Sequence, residues 1–393
     1  MEIYRLTPEH NRIYNELKRI GVDDYALNMV NKGESLNVLI KDVTSPEANI
    51  LKQESIASGM DAAVKKGVIS CSVEKSDVLL LGNTATFKRL IKRLSIQAFR
   101  LKQVADELKN LINKKDERFI THNKGKIELT KTQCMCILNT TPDSFSDGNK
   151  FVTEEAIAKQ IDAMADSGID IIDIGGMSSR PYSGSISAEE EINRIKFALD
   201  YIKQYDMIIS VDTNNYKTAE YALNNGANLI NDISGVEDDK MVSLCADSRC
   251  AVCIMHMKGS PKNMQQNIEY NHIIYDIQRF FENRIEKCIK AGINYSSIIL
   301  DVGFGFGKTL EQNYILLKYM KEFKIYSLPL LAGISRKSMI GGVLDKGVNE
   351  RLAGTISANT AAILNGADII RFHDIKEGID TAKIADFILK ANI

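Results

Sequence analysis

Residues 169–213 read IDIIDIGGMSSRPYSGSISAEEEINRIKFALDYIKQYDMIISVDT, and this stretch contains one full example of the pattern that decides the fold. Its two ends carry short apolar runs, Ile169–Ile174 and Met207–Val211, which are typical of strands buried on both faces of a parallel sheet. Between them, Glu189–Gln204 is a segment of helical length. The stretch therefore predicts two parallel strands joined by a helical crossover.

The same alternation continues on both sides of this stretch and predicts eight strands. The other six are Cys134–Leu138, Asn228–Ile230, Ala251–Met255, Ser297–Leu300, Pro329–Ala332 and Asp368–Arg371. The other predicted helices include Glu154–Ser167, Tyr216–Asn224, Ile273–Ala291, Glu311–Lys321 and Glu350–Leu364. Eight strands alternating with helices over about 260 residues meet the requirement of a TIM (β/α)8 barrel, whereas a doubly wound sheet usually has fewer strands. We therefore expect an α/β protein with a TIM barrel at residues 133–393.

Residues 1–125 differ in pattern and predict a small α/β domain. Glu2–Leu6 and Ser35–Lys41 are candidate strands, Ala48–Ala57 is a candidate short helix, and Phe87–Asn113 is predicted to be one long amphipathic helix. A polar stretch, Lys124–Thr132, is expected to separate this domain from the barrel. No catalytic set of residues is visible in the first domain, so its role stays open, with domain docking or dimerisation as the expectation.

The composition is that of an ordinary globular protein. The chain has 393 residues, 44% hydrophobic and 26% charged, with a net charge of -1 and a pI near 6.6. This balance gives no sign of a nucleic-acid or membrane partner. Because Met1–Arg12 lacks the apolar core of a signal peptide, we expect a cytoplasmic protein.

Polar residues follow every one of the eight predicted strands. In a parallel barrel all the carboxyl ends of the strands open on one face, where the active sites of this fold lie. The residues at these ends include Asn139, Asp173, Arg180, Asp212, Asn231, His256, Asp301, Ser335, Lys337, Arg371 and His373. Asp and Asn also cap helices, but capping does not easily explain eight strand ends at once.

The last strand ends with Arg371 and His373, which are two residues apart and can therefore point to the same side. Arginine binds phosphate through two parallel hydrogen bonds, and the loops after the last two strands are the usual phosphate site of the barrel. This end of the sequence therefore predicts a site for a phosphate group.

Three runs resemble dihydropteroate synthases in order and in position at strand ends. They are Ile137–Gly148 (ILNTTPDSFSDG), Gly333–Ser338 (GISRKS) and Arg371–His373 (RFH), and the resemblance covers about residues 133–390. It implies a transferase of folate biosynthesis that joins 6-hydroxymethyl-7,8-dihydropterin pyrophosphate to para-aminobenzoate and releases pyrophosphate. It further implies a Mg²⁺ cofactor, small-molecule substrates, a homodimer and a target of sulfonamides.

The resemblance also implies which residues serve each part of the site. The implied pterin ligands are Asp212, Asn231, Met255, Asp301 and Lys337; the implied pyrophosphate ligands are Asn139, Arg371 and His373, with Asn139 also binding Mg²⁺. The implied para-aminobenzoate pocket consists of Ser179, Arg180, Pro181, Phe306, Ser335 and Lys337. The implied catalytic residues are Asp212, Asp301, Lys337, Arg371 and His373. Residue chemistry agrees, because a carboxylate can accept two N–H groups from the edge of a pterin ring.

Four positions depart from the family pattern, one of them Ser179, where the family usually has Thr. Met177 stands where the family usually has Glu, Tyr182 where it has Gly, and Val302 where it has Pro. Arg180 and Asp301 remain, so we expect these changes to affect supporting contacts and turn stiffness rather than the ligands themselves.

Two other functions fit the barrel and the strand-end residues. A pterin-dependent methyltransferase of the related barrel type has no need of the Ser335–Ser338 and Arg371–His373 runs. A non-catalytic pterin-binding or scaffolding protein has no need of an intact set of Arg180, Lys337, Arg371 and His373. Pyrophosphate release separates the synthase from both.

Two motifs imitate other sites. Gly303–Thr309 resembles a phosphate-binding loop, but that loop needs a glycine at position 302, which is Val. Cys245, Cys250 and Cys253 have a ferredoxin-like spacing but lie in or beside an apolar run, which favours buried thiols over an iron–sulfur cluster.

Overall fold

The computed structural model describes residues 8–113, 118–141, 153–177, 186–259 and 268–391, together with Ile3 and Leu6. The chain divides into two compact units, one of residues 1–115 and 391–393 and one of residues 116–390. In the described part of the chain, no helix has both the length and the apolar character needed to cross a membrane.

The first unit is an antiparallel sheet packed against helices. Its strands are β1 (Leu36–Thr44), β2 (Asp61–Val64) and β3 (Lys75–Gly82), in the order β1-β3-β2. Its helices are α1 (His10–Ile20), α2 (Ser45–Ala57), α3 (Thr84–Leu94) and α4 (Leu101–Asn113). The core joins alternate residues of β3, Val78 and Leu80, to Leu51 of α2 and Phe87 of α3. The predicted strand Ser35–Lys41 and helix Ala48–Ala57 correspond to β1 and α2, whereas Glu2–Leu6 falls mostly outside the described residues.

The predicted single helix Phe87–Asn113 is wrong. The structure has two helices, because α3 ends at Leu94 and α4 begins at Leu101. Phe99 between them has a φ of 60°, which a helix does not allow. The turn brings Arg100 to the buried carboxylate of Glu47, with Nε and Nη2 donating to it at 3.0 and 2.8 Å. A buried carboxylate needs such a partner, so this tertiary contact outweighs the continuous helical pattern.

A hairpin precedes the barrel and belongs to the same unit. Its strands are β4 (Phe119–His122) and β5 (Gly125–Glu128). Ile120 and Ile127 pack with Met135, Ile171 and other apolar residues of the barrel interior. Part of the polar stretch Lys124–Thr132 therefore forms a strand that packs on the interior of the barrel.

The second unit contains a closed parallel barrel of eight strands, which confirms the predicted fold. The strands are β6 (Gln133–Asn139), β7 (Ile171–Gly175), β8 (Ile208–Asp212), β9 (Leu229–Asp232), β10 (Ala251–Met255), β11 (Ile298–Asp301), β12 (Leu330–Ala332) and β13 (Ile369–Phe372). The barrel closes through pairing of β13 with β6.

The barrel interior and its outer layer are filled by alternate residues of the strands. Met135, Ile171 and Ile299 fill the interior, while their neighbours Cys136, Ile172 and Leu300 pack outward in the larger core. This alternation follows from the period of two residues in a strand.

Helices surround the barrel in the second unit. They are α5 (Glu154–Asp166), α6 (Ala188–Ile202), α7 (Tyr216–Asn224), α8 (Asp239–Ser248), α9 (Ile273–Lys290), α10 (Leu310–Lys318), α11 (Ser338–Leu344), α12 (Leu352–Leu364) and α13 (Ile375–Lys390). Several begin at a side-chain cap, as in α10, where Thr309 Oγ1 accepts the Gln312 N–H at 3.2 Å. Such caps satisfy backbone donors that the first turn leaves free.

Candidate active site

An arginine and two aspartates form an ion-pair network inside the carboxyl end of the barrel. Nε of Arg371 donates to Oδ2 of Asp173 at 2.6 Å, and Nη2 donates to Oδ2 of Asp212 at 2.7 Å. Asp173 is fully buried, and the side chains of Arg371 and Asp212 are 17% and 12% exposed. Charges this far from water are stable only when they are paired, so the network accounts for all three side chains.

Asp173 has two further partners. Oγ of Ser210 donates to Oδ1 at 2.5 Å, and Nδ2 of Asn231 donates to Oδ2 at 3.2 Å. Two residues predicted to bind substrate, Arg371 and Asn231, are therefore held by a carboxylate that was not among the predicted site residues.

Asp212 lies in a field of mixed charge. Burial raises the pKa of its carboxyl, and the guanidinium of Arg371 opposes that shift. The negative charges of Asp173 and Glu191 raise the pKa of Asp212 further, whereas the positive charge of Lys337 lowers this pKa. The position of Arg371 is therefore what favours the ionised form of Asp212 most strongly.

Asp301 ends β11 and is 6% exposed. Its Oδ1 accepts the N–H of Gly303 at 2.7 Å, which holds the turn after the strand. Gly303 has a φ of 68°, and a side chain there would meet the carbonyl oxygen of His256 at 2.0 Å, so only glycine fits. Burial raises the pKa of Asp301, and the backbone hydrogen bond and Lys337 oppose the shift.

Lys308 fixes the loop that follows Asp301. The residue is 3% exposed, and its ammonium donates to the carbonyl oxygens of Gly303, Phe306 and His256 at 2.8, 2.9 and 3.1 Å. Nδ1 of His256 lies 3.0 Å from the same nitrogen. Burial lowers the pKa of Lys308 to about 7. This is the lysine of the run that imitates a phosphate-binding loop, and its side chain is directed at backbone carbonyls.

Lys337 immediately precedes α11 and lies over an aromatic ring. Its Nζ is 3.9 Å from the centre of the Phe306 ring, and its Cδ is 3.3 Å from where a side chain on Gly305 would begin. Burial and the charge of Arg371 lower the pKa of Lys337 to about 8, and the carboxylates of Asp301 and Asp212 oppose the shift. Lys337 is therefore a cation that loses its proton, and with it its charge, at mildly alkaline pH.

Apolar side chains form a small cluster near these charges. Ile233, Met255 and Phe306 are buried together, and Met257 packs against them. A flat heterocycle bound beside Asp301 would have an apolar surface to stack on and charged groups at its edge, as small-molecule pockets usually provide.

His373 pairs with Ser335 rather than with Arg371. Nδ1 of His373 lies 3.0 Å from Oγ of Ser335, and the same Oγ accepts the His373 backbone N–H at 3.3 Å. The contact with Ser335 involves Nδ1, so Nε2 is the ring nitrogen that Ser335 does not contact. Desolvation and the charges of Arg371 and Arg336 lower the pKa of His373 to about 4, so the ring is neutral near neutral pH.

Asn139 ends β6 at the same face of the barrel, next to Gly175 of β7. Its Oδ1 is 3.5 Å from where a side chain on Gly175 would begin, so glycine leaves room around this oxygen. Within the described ranges, no group of three or more His, Cys, Asp or Glu could hold a metal ion. An amide oxygen still suits Mg²⁺, which uses few protein ligands besides phosphate oxygens and water.

Three predicted para-aminobenzoate residues, Ser179, Arg180 and Pro181, lie outside the described residues. Eight of the remaining predicted site residues belong to three groups of contacts, one of which is Ser335 with His373. Asp212, Asn231 and Arg371 meet at Asp173. Lys337 lies on Phe306, which packs with Met255.

Sequence reasoning omitted Asp173 and Lys308 from the site. Asp173 was visible as a carboxylate at a strand end, but its partners are 37, 58 and 198 residues away in the chain. Lys308 was visible only as part of a phosphate-loop imitation. A charged residue inside an otherwise apolar strand is the signal that could have identified Asp173, because such a residue requires a partner.

Comparison with known proteins gives a consistent result. Residues 135–373 match the model of the pterin-binding enzyme family. The dihydropteroate synthase of Escherichia coli is 40% identical over 266 residues, which cover 67% of this chain and 94% of that protein. The bifunctional dihydropteroate synthase/dihydropteroate reductase of Helicobacter pylori is 36% identical over 389 residues, which cover 98% of both chains.

A solved structure agrees as well. The dihydropteroate synthase of Clostridium difficile, crystallised in the presence of pteroic acid, is 38% identical with a TM-score of 0.62, covering 67% of this chain and 98% of that one. The barrel, the residues at its carboxyl end and these similarities lead to one conclusion: the chain belongs to the dihydropteroate synthase family of pterin-binding enzymes.

Proposed function

We propose that the barrel joins 6-hydroxymethyl-7,8-dihydropterin pyrophosphate to para-aminobenzoate, forming 7,8-dihydropteroate and pyrophosphate. The observation that carries the proposal is the pairing of a buried acidic pocket with cations at the same end of the barrel. Asp301 and Asp212 offer acceptors for the pterin, and Arg371 and Lys337 offer positive charge beside them.

The pterin is held by its polar edge and stacked on apolar side chains. Asp301 accepts the ring amino and N–H groups through the oxygen that does not hold Gly303. Asp212 and Asn231 satisfy the rest of the edge, and Lys337 donates to the ring carbonyl. Met255 and Phe306 supply the apolar surface.

The pyrophosphate is held at the mouth of the barrel. Arg371 contributes its guanidinium, and His373 contributes a hydrogen bond from Nε2, the ring nitrogen that Ser335 does not contact. Asn139 would hold Mg²⁺, which when bound supplies further positive charge to the phosphate oxygens.

The reaction is a substitution at the pterin methylene carbon. The C–O bond to pyrophosphate breaks, and its electron pair leaves with the phosphate oxygen, whose negative charge Arg371 and His373 stabilise. Asp212 and Asp301 stabilise positive charge that develops on the pterin. The amine nitrogen of para-aminobenzoate forms the new C–N bond and releases one proton to solvent. The amine is held against Phe306 and Lys337, together with Ser335, Ser179, Arg180 and Pro181.

Pyrophosphate release by the full chain tests this proposal. With Mg²⁺ and the dihydropterin pyrophosphate, release should depend on para-aminobenzoate and match the dihydropteroate formed. Competition by a sulfonamide for the amine site is expected as well. Tight pterin binding without release would favour a non-catalytic binding protein, and methyl transfer without release would favour the related methyltransferase.

We propose a second activity, reduction of dihydropteroate, for the first unit. The specific observation is that the similarity to the bifunctional Helicobacter pylori protein extends over 389 residues and so includes the first unit. The similarity to the Escherichia coli synthase covers 266 residues.

Oxidation of a hydride donor tests the second activity. The full chain is supplied with dihydropteroate and a reduced nicotinamide or flavin nucleotide, and tetrahydropteroate is measured by chromatography. Donor oxidation that matches tetrahydropteroate formed would support the proposal. Synthase activity without any donor oxidation would refute it and leave the first unit with a docking role.

We also propose that the protein is a homodimer. Helix α13 carries Ile384, Phe387 and Ile388, which lie three and four residues apart on one helical face and are 63%, 77% and 50% exposed. A cluster of this kind on a surface helix is typical of an interface between subunits.

Substitution Phe387→Glu is expected to convert the dimer to a monomer, because a carboxylate in an apolar interface loses its hydration. Sedimentation velocity measures the mass of the native protein and the variant. Ile325→Glu, at another surface position that is 47% exposed, is the control and should leave the mass unchanged. A monomeric native protein would contradict the proposal.

A further inference from the structure

The carboxylate of Asp173 is the centre of a polar network within the apolar interior of the barrel. It is fully buried and receives hydrogen bonds from Arg371, Ser210 and Asn231 at 2.6, 2.5 and 3.2 Å. All three partners are donors, so Asp173 acts only as an acceptor, which is the behaviour of an ionised carboxylate.

The contact with Arg371 determines which nitrogens of the guanidinium remain available. Nε faces Asp173, and Nη2 faces Asp212. Among the described residues, Nη1 has no hydrogen-bond acceptor. Because the guanidinium is planar and rigid, fixing two of its nitrogens also fixes the direction of the third.

The contact with Asn231 determines the orientation of its amide. A carboxylate cannot donate, so the amide nitrogen must be the atom that faces Asp173. The amide oxygen therefore faces away from Asp173. An acceptor at this position suits a donor of the pterin edge, whereas a flipped amide would present a second donor to it.

We propose that Asp173 is a positioning residue, which holds Nη1 of Arg371 toward the pyrophosphate and the amide oxygen of Asn231 toward the pterin. The inference rests on the proposed synthase function. Asp173 itself touches neither substrate. Its effect on the reaction is transmitted through two side chains on β9 and β13, which lie on opposite sides of β7 in the barrel order.

A purely structural role is the competing explanation. An ion pair between β7 and β13 could serve only to stabilise the barrel, since removing one partner of a buried pair leaves an uncompensated charge. The two explanations differ in which kinetic constants change, because a distorted barrel alters the binding of both substrates, whereas positioning of Arg371 and Asn231 leaves the KM for para-aminobenzoate nearly unchanged. Positioning through Arg371 requires that the kinetic effect of Asp173 largely disappear once Arg371 is absent.

A double-mutant cycle tests the proposal. The variants are Asp173→Asn, Arg371→Met and the double variant, and the measured quantity is kcat/KM for the dihydropterin pyrophosphate. Asp173→Asn is expected to lower it about 100-fold, the effect typical of a small misplacement of a catalytic group. In the Arg371→Met background the same change is expected to lower it less than about fivefold. The KM for para-aminobenzoate should change less than about threefold in Asp173→Asn, since neither Arg371 nor Asn231 is proposed to bind the amine.

The control is Asp170→Asn. Asp170 lies on the same chain segment, but its carboxylate pairs with Lys131 and accepts the backbone N–H of Cys134. Its variant should keep the native kcat/KM within about twofold, since surface ion pairs contribute little.

Two results would overturn the inference: native-like kinetics of Asp173→Asn, or equal factors of loss in both backgrounds. Should Asp173→Asn fail to fold, Ser210→Ala removes a single donor from the same carboxylate. It is expected to lower kcat/KM for the pterin substrate about tenfold, in the range of one lost hydrogen bond, and an unchanged value would then overturn the inference. Absence of pyrophosphate release by the native protein would instead refute the synthase function, so the two failures are distinguishable.

Discussion

Substitution Asp301→Asn is expected to lower kcat/KM for the dihydropterin pyrophosphate by roughly 10³-fold, equivalent to about 4 kcal/mol of transition-state stabilisation. The asparagine oxygen can still accept the N–H of Gly303, which Oδ1 of Asp301 holds at 2.7 Å. The amide nitrogen then replaces the oxygen that faces the pterin. The pterin loses two hydrogen bonds to a charged acceptor. The amide N–H groups of the variant side chain then face the N–H groups of the pterin, with no acceptor between them.

Steady-state kinetics and calorimetric binding of the free dihydropterin measure this effect. Asp232→Asn is a matched control, because Asp232 is likewise buried at a strand end but, within the described part of the chain, accepts only from Ser234 and Val236 of its own loop. Its variant should lose stability while its kcat/KM stays within about threefold, since turn contacts do not touch the substrate. Native-like pterin binding by Asp301→Asn would show that another residue holds the ring edge.

The barrel was predictable because its sequence signals are local. Each strand is a short apolar run followed by a polar residue, and Ala251–Met255, for example, is the same in prediction and structure. The positions of Asp212 and Asp301 at the active face follow from these boundaries, because all strands of a parallel barrel end on one face.

The break between α3 and α4 was not predictable because its cause is distant in sequence. Residues 95–100 contain no glycine or proline, and the apolar spacing continues through them. The contact of Arg100 with Glu47 joins residues 53 positions apart. A pattern with a period of three to four residues carries no information about such a partner.

The roles of individual charged residues were only partly predictable for the same reason. Arg371 and His373 alternate on one strand, which suggested a shared ligand. In the structure Arg371 pairs with Asp173 and Asp212, and His373 pairs with Ser335. Spacing shows which residues share a strand face, but the orientation of a long side chain depends on charges contributed by other strands.

The pH dependence of kcat/KM is expected to have a falling limb near pH 8 that belongs to Lys337. Burial and Arg371 lower the pKa of this lysine to about 8, so its ammonium is charged below that pH and neutral above it. The charged ammonium of Lys337 donates a hydrogen bond to the pterin carbonyl, so activity should fall as the pH rises through the pKa of Lys337. The carboxyl groups of Asp212 and Asp301 are expected to produce a rising limb, because kcat/KM increases as these groups lose their protons.

Lys337→Met and Lys337→Arg separate the charge from the shape of this side chain. Lys337→Met is expected to lose roughly 10³-fold in kcat/KM, since it removes a hydrogen-bonding charge from a buried site, and to lose the falling limb. Lys337→Arg keeps its charge at every pH that the protein tolerates, because guanidinium has a pKa above about 12. Its rate should fall about 10- to 100-fold because the planar group is wider, and its falling limb should move to higher pH.

The variant Lys308→Met is the control that shows which lysine produces the falling limb. The pKa of Lys308 is lowered to about 7, so Lys308 is a second buried amine that could produce a falling limb. Lys308→Met should change the absolute rate through the loop carrying Phe306, whose carbonyl the ammonium holds at 2.9 Å, and should leave the midpoint near pH 8. If the midpoint instead disappears in Lys308→Met and persists in Lys337→Arg, the titrating group is the loop lysine. Lys337 would then act on the pterin through its shape and its hydrogen bonds, with its charge constant across the working range.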